Sequence, residues 1–156
     1  MNNARFLVLL LVLLICRNSL SQLEINRRPS LESRNQSMPL QIEEAFPYHL
    51  SIVEPGKYLA TWNLEPGHYL YGHAFQFKMI QEQDNLELPI DFKLPPGLKK
   101  RDQFFGDIEA FYGNVSISLT LPIVPQQEAL IIVEYQGCAD WGFCYPPQSD
   151  SLPIRP

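Results

Sequence analysis

Helical periodicity is the main thing this 156-residue chain lacks. Beyond its first twenty residues, no window of adequate length repeats apolar side chains every 3.6 positions, so the pattern leaves no place for a helical architecture. Basic charge is also scarce. Twelve Lys and Arg stand against seventeen Asp and Glu, for a net charge of −5 and a pI near 5.1. That balance argues against nucleic acid and against an anionic membrane surface as partners. Histidine is sparse, and His68 and His73 lie five apart, which on a strand puts them on opposite faces. With no third ligand beside them, no metal site is expected. No Ser/His/Asp set, phosphate-binding loop, paired catalytic carboxylates or internal repeat is present, and no cofactor is implied. Cysteine occurs three times, at Cys16, Cys138 and Cys144.

The N-terminus reads as an address. Arg5 supplies a positive start, Phe6 to Ile15 is an unbroken apolar run, and Ser19-Leu20-Ser21 offers a small-x-small cleavage pattern. Residues 1–21 are therefore expected to be a signal peptide. The apolar run is shorter than the roughly 20 residues of an ordinary membrane span. Leu13-Leu14-Ile15-Cys16 loosely resembles a lipobox, but Ile15 stands where a small residue is wanted, so cleaved export is preferred over a lipoprotein anchored at Cys16. Export places the mature chain in an oxidising compartment with two cysteines, an even number. Residues 22–40, with Arg27, Arg28 and Arg34, read as a polar, disordered leader, and residues 41–156 as one domain.

Within that domain the texture is one of short strands. Tyr58 to Leu64 is β-rich and stops at Glu65-Pro66-Gly67. Tyr69 to Ile80 carries Tyr69, Tyr71, His73, Phe75 and Phe77 at period two. Val115, Ile117, Leu119 and Leu121 alternate with polar residues, and Ala129 to Tyr135 reads as a buried strand. Fourteen prolines and eight glycines fall largely between these runs. The pattern predicts an all-β fold, an antiparallel immunoglobulin-like sandwich.

The thirteen residues Tyr135 to Pro147, Y-Q-G-C-A-D-W-G-F-C-Y-P-P, hold Cys138 and Cys144. With Asp140-Trp141-Gly142 at the tip, Cys138 is expected to close one strand and Cys144 to open the next. Facing Cα atoms in an antiparallel pair are about 4.5–5.5 Å apart, within disulfide range. Such a small loop contributes only about 2.4 kcal/mol of chain-entropy stabilisation. Two uses stay open on this ground: a structural staple, or a reducible pair that exchanges electrons. Trp141 is open in the same way, as a docking anchor or as local packing. Phe104, Phe105, Tyr69 and Tyr71 have an ordinary reading as packed aromatics, and Lys99-Lys100-Arg101 as a solvated turn.

The hairpin string resembles the active-site hairpin of the N-terminal periplasmic domain of the thiol:disulfide interchange protein DsbD family. Gly67-His68-Tyr69-Leu70-Tyr71 resembles that family's Tyr-x-Tyr strand, after a matching stretch at Leu59 to Trp62. Asp102-Gln103-Phe104-Phe105-Gly106 resembles its cap loop, and the likeness runs over about residues 40 to 154. The resemblance implies an immunoglobulin-like domain with a reversible Cys138–Cys144 disulfide. It would take electrons from a thioredoxin-like donor and pass them to periplasmic oxidoreductases of thioredoxin fold. A separately encoded membrane electron transporter is a candidate partner, because family members continue into membrane and thioredoxin-like domains and this sequence stops at Pro156. By position, Cys144 would form the mixed disulfide and Cys138 would resolve it. Phe104 would shield the pair, with Tyr69, Tyr71 and Asp102 lining the site. Gln103 departs from the Glu often found there, which removes a carboxylate pair. The rival reading is a non-catalytic periplasmic binding module with a structural disulfide. It is separated from exchange by whether the bond opens reversibly.

Overall fold

A computed structural model describes residues 38–81 and 86–154. The expected signal peptide and nearly all of the expected leader lie outside the described residues. After a single helical turn, α1 (Ile42–Ala45), the chain is built from strands: β1 (Tyr48–Glu54), β2 (Lys57–Asn63), β3 (His68–Tyr71), β4 (Gln76–Gln81), β5 (Leu86–Pro89), β6 (Asp91–Lys93), β7 (Leu98–Asp102), β8 (Gly106–Tyr112), β9 (Asn114–Thr120), β10 (Leu130–Tyr135), β11 (Gly137–Ala139) and β12 (Gln148–Pro153). They form three antiparallel four-stranded sheets, in the orders β1-β2-β9-β6, β12-β10-β4-β5 and β11-β3-β8-β7. The all-β expectation holds. No helix among the described residues is long and apolar enough to cross a membrane.

Period-two patterning explains most of this. In β9 the inward residues Val115, Ile117 and Leu119 alternate strictly with exposed polar ones, as a pleated strand with one buried face requires. β10 lies between β12 and β4, and Ile131, Val133 and Tyr135 are its buried face. These side chains meet Trp62, Phe75, Phe77 and Met79 in the main core. Trp62 stacks on Tyr48 with ring centroids 4.9 Å apart and meets Phe75 edge-on at 5.3 Å, the geometries aromatic quadrupoles favour.

One expectation needs correction. Tyr69 to Ile80 is two strands, not one. A single turn of 3-10 helix, Gly72–Ala74, carries the chain from the β11-β3-β8-β7 sheet into the β12-β10-β4-β5 sheet. Gly72 permits the crossing because a Cβ there would lie 3.0 Å from the Phe111 ring and 3.3 Å from the Glu109 carbonyl oxygen. Tyr69 and Tyr71 are thereby parted from Phe75 and Phe77, which enter the main core.

The β11-β3-β8-β7 sheet is used on both faces. Leu70 and Phe111, paired across β3 and β8, belong to the main core. The alternate residues Tyr69, Tyr71, Ile108, Ala110 and Cys138 form a second, smaller cluster, with Tyr112 and Cys144 packed against it. The candidate site sits in this second cluster.

Candidate functional site

Cys138 and Cys144 are joined by a disulfide, with Cα atoms 4.0 Å apart. Cys138 lies on β11 opposite Tyr69 and forms an isolated bridge with Cys144. The loop between them is held by its own backbone. The Gly142 amide donates to the Ala139 carbonyl at 2.9 Å, the Ala139 amide to Phe143 at 2.7 Å, and the Tyr145 amide to Gly137 at 3.0 Å. Gly137 has to be glycine, because a Cβ would come within 2.5 Å of both the Phe46 ring and the Tyr69 carbonyl oxygen. Its neighbour's sulfur is thus pressed onto β3. Cys144 does not open a strand as expected. Pro146 and Pro147 follow it, and β12 begins only at Gln148, since proline has no amide hydrogen for a ladder. Cys138 is fully buried, whereas Cys144 is partly exposed.

Tyr71 reaches the sulfurs from β3. Its hydroxyl oxygen is 2.9 Å from Cys138 Sγ and 3.6 Å from Cys144 Sγ, and it lies 3.0 Å from Asp102 Oδ2. Tyr69 donates to the same Oδ2 at 2.6 Å. The other oxygen, Oδ1, accepts the backbone amides of Phe104 at 2.7 Å and Phe105 at 3.0 Å. Burial acts to raise the Asp102 pKa, but the bonds from Tyr69, the Phe104 and Phe105 amides and Tyr71 outweigh it. The carboxyl is held below its ordinary value. Burial and the bond to Asp102 push Tyr69 up, and burial pushes Tyr71 up as well. At neutral pH the site therefore holds one carboxylate and two protonated phenols.

Asp102 also ends β7 and starts the loop to β8. Phe105 packs edge-on against Tyr71 at 5.0 Å and against His73 at 4.9 Å. Gln103 Nε2 donates to the Gly142 carbonyl at 3.5 Å, joining this loop to the cysteine loop. Phe104 and Phe105 are 56 % and 51 % exposed, so neither is the ordinary core aromatic that one reading allowed. Sequence reasoning singled out Phe104 for the site and left Phe105 only a place in the cap-loop string, yet it is the Phe105 ring that meets Tyr71 and His73.

It also missed Lys100, Tyr112 and Asp140. Lys99-Lys100-Arg101 is part of β7 rather than a solvated turn. Lys100 Nζ donates to Tyr112 Oη at 2.7 Å, pairs with Asp140 and lies 3.9 Å above the Tyr69 ring centre. The signal was available in spacing, because Lys100 and Asp102 are two apart and share a strand face. Trp141 packs edge-on against buried His68 at 5.0 Å and remains over one-third exposed. His68 and His73 are not neighbours in the site, and no group of three or more metal-ligating side chains occurs among the described residues.

Comparison with known proteins points to one family. A family model described as the N-terminal region of the thiol:disulfide interchange protein DsbD matches residues 36–156. The thiol:disulfide interchange protein DsbD of Yersinia pestis (strain Pestoides F) is 33% identical over 156 residues, covering 96% of this chain and 25% of the relative. DsbD 1 of Pseudomonas aeruginosa is 36% identical over 115 residues, covering 74% and 19%. The chain thus spans a quarter or less of the length of these curated relatives. Among solved structures, the reduced Neisseria meningitidis DsbD N-terminal domain matches with a TM-score of 0.65 at 25% identity, over 74% of this chain and 88% of that one. The DsbD N-terminal domain in complex with the PilB N-terminal domain matches in fold, with a TM-score of 0.59 at 24% identity, over 74% and 86%. The sandwich is accordingly immunoglobulin-like, as the strand pattern predicted.

Proposed function

The chain belongs to the family of the DsbD N-terminal domain, and on that premise we propose that it is a periplasmic thiol–disulfide exchange domain whose working group is the Cys138–Cys144 bond. The observation that carries the reading is the disulfide itself. Its inner sulfur touches the Tyr71 hydroxyl, and its outer cysteine is the less buried of the two. A structural staple has no use for a phenol that is set against one sulfur and bonded in turn to a carboxylate.

The exchange balances as follows. A thiolate of a dithiol donor attacks Cys144 Sγ, the Cys138–Cys144 bond breaks, and Cys138 leaves as a thiolate that takes up a proton. The donor's second thiol, deprotonated, attacks its own sulfur in the mixed disulfide and releases Cys144. The donor is oxidised to a disulfide, and this chain gains two electrons and two protons. In the onward step Cys144 attacks an acceptor disulfide, and Cys138 then attacks Cys144 Sγ to free the reduced acceptor. Cys144 is the entry point because it is the less buried of the two, and Cys138, fully buried, resolves.

Tyr71 has one hydrogen and three acceptors within reach, of which Asp102 Oδ2 and Cys138 Sγ are the nearer and Cys144 Sγ the farther. When Cys138 leaves as a thiolate, the hydroxyl turns toward it and stabilises the charge. Asp102 keeps its other donors meanwhile. Phe104 and Phe105, in the loop that Asp102 anchors, act as the lid that keeps stray thiols from the pair. The partners are thioredoxin-fold proteins, as donor and as acceptors. The solved complex of a DsbD N-terminal domain with the PilB N-terminal domain is one instance of this fold meeting a partner domain.

The test is trapping. Cys138→Ser should accumulate a mixed disulfide with a thioredoxin-fold partner through Cys144, and Cys144→Ser should accumulate none. Undiminished trapping in Cys144→Ser overturns the role assignment. A reduction potential within about −120 to −270 mV fits exchange, and one below about −300 mV marks a staple and sinks the proposal.

A further inference from the structure

Three strands away from the cysteines, at the edge of the same sheet, β7 carries the cap loop on its end. Lys100 reaches from that edge strand across β8 and β3 to the loop between the cysteines. Its Nζ donates to Tyr112 Oη on β8 at 2.7 Å, stands over the Tyr69 ring on β3, and pairs with Oδ1 of Asp140, forty residues away. Tyr112 donates to the same Oδ1 at 2.8 Å, closing a three-membered ring of charge-assisted bonds. Asp140 is fixed from behind as well, its amide donating to the Gly67 carbonyl at 2.8 Å. Asp140 is thus gripped from two sides, by side chain and by backbone, and Lys100 is two residues before Asp102, the anchor of the cap.

The charges are not deeply buried. The Lys100 side chain is 28% exposed and that of Asp140 is 47% exposed. Ion pairs this wet add little to global stability, so a role in stability alone does not account for a lysine that spans three strands. Location does account for it, because no other ion pair among the described residues joins the cap-bearing strand to the cysteine loop.

We propose that Lys100 is a positioning residue of the exchange site, tying the strand that carries the cap loop to the loop between the cysteines so that cap and disulfide open as one unit. The inference rests on the exchange reading of Cys138–Cys144. The Gln103 to Gly142 bond reinforces the tie further along the cap loop. When a partner pulls the cysteine loop forward, Asp140 moves, Lys100 follows, and the Asp102 loop is lifted with it. While the clasp is closed, neither part opens alone.

The experiment is Lys100→Met in the purified protein, read by amide hydrogen exchange and by the rate at which dithiothreitol reduces the disulfide. Exchange at the amides of Phe104, Phe105, Ala139 and Gly142 should rise about three- to tenfold, the range expected for losing a few partly exposed charge-assisted bonds. The amides of β9 and β10 should stay as they were, and reduction should accelerate by a similar factor. Asp140→Asn should act in the same direction although it changes charge the opposite way. The double variant should go no further than either single one, and Lys100→Arg should restore most of the protection. Unchanged exchange and reduction in Lys100→Met overturn the inference, and so does a rise spread equally over β9 and β10, which marks a merely structural lysine. The outcome is separable from the exchange reading. Dithiothreitol needs no docking, so a protein that fails to trap partners can still show the Lys100 effect, and one that traps them normally can lack it.

Discussion

The two faces of the β11-β3-β8-β7 sheet obey the same pleat and do opposite work. On one face Leu70 and Phe111 join the main core with Trp62, Phe77, Met79, Ile131 and Val133, a region whose contacts are apolar and non-directional. On the other, Tyr69, Tyr71 and Cys138 stand with Asp102, Tyr112 and Lys100, and most contacts are hydrogen bonds of defined direction. The core is held by area removed from water, which tolerates small shifts. The site is held by bonds that fail over a few tenths of an ångström. The difference teaches that a strand can commit one face to stability and leave the other for chemistry. Substitutions on the two faces should therefore be separable.

The largest effect is expected from the core. Ile131→Ala removes a fully buried side chain from β10 and should cost about 2–5 kcal/mol, seen as a lowered denaturant midpoint. The reduction potential of Cys138–Cys144 should stay where it was. A shift in potential as large as the stability loss would break the comparison.

Tyr71→Phe sharpens it from the other side. The ring stays and the hydroxyl goes, so the stability cost should be about 1 kcal/mol. The thiol of reduced Cys138 should titrate at higher pH, and reduction by a dithiol at neutral pH should slow by up to about tenfold. An unaltered rate would mean that the hydroxyl only packs.

Asp102→Asn should give the smallest effect, and one that vanishes in acid. The Asp102 pKa is lowered in the folded chain from 3.8. A depressed carboxyl contributes stability that is present above the unfolded value and is lost as pH falls through the folded one. The gap in melting temperature between the native protein and Asp102→Asn should therefore be widest near neutrality and close below pH 3.8. A gap that stayed constant into acid would show that the hydrogen-bonded carboxylate is not the source.

Reading the residues in order recovered the strands whose burial is one-sided. β9 was legible because Val115, Ile117 and Leu119 alternate without a break. The Cys138 hairpin was legible because its whole string is unusual. The sheet switch at Gly72 was not, since Tyr69, Tyr71, His73, Phe75 and Phe77 keep period two through a turn of 3-10 helix. Only the closeness of Phe111 shows why a glycine stands there. Lys100 was hidden for a related reason, because a run of three basic residues reads as solvated until one of them is found facing inward.

What the sequence determined by itself was the alternation of faces and the pairing of two nearby cysteines, since both depend on local backbone geometry and short loops. What only the tertiary structure decided was which distant side chains meet: Tyr71 with Cys138, Phe105 with His73, Lys100 with Asp140. Those meetings depend on strand order and register within the β11-β3-β8-β7 sheet and on the loops at its end. A slip of one residue would turn each side chain to the opposite face.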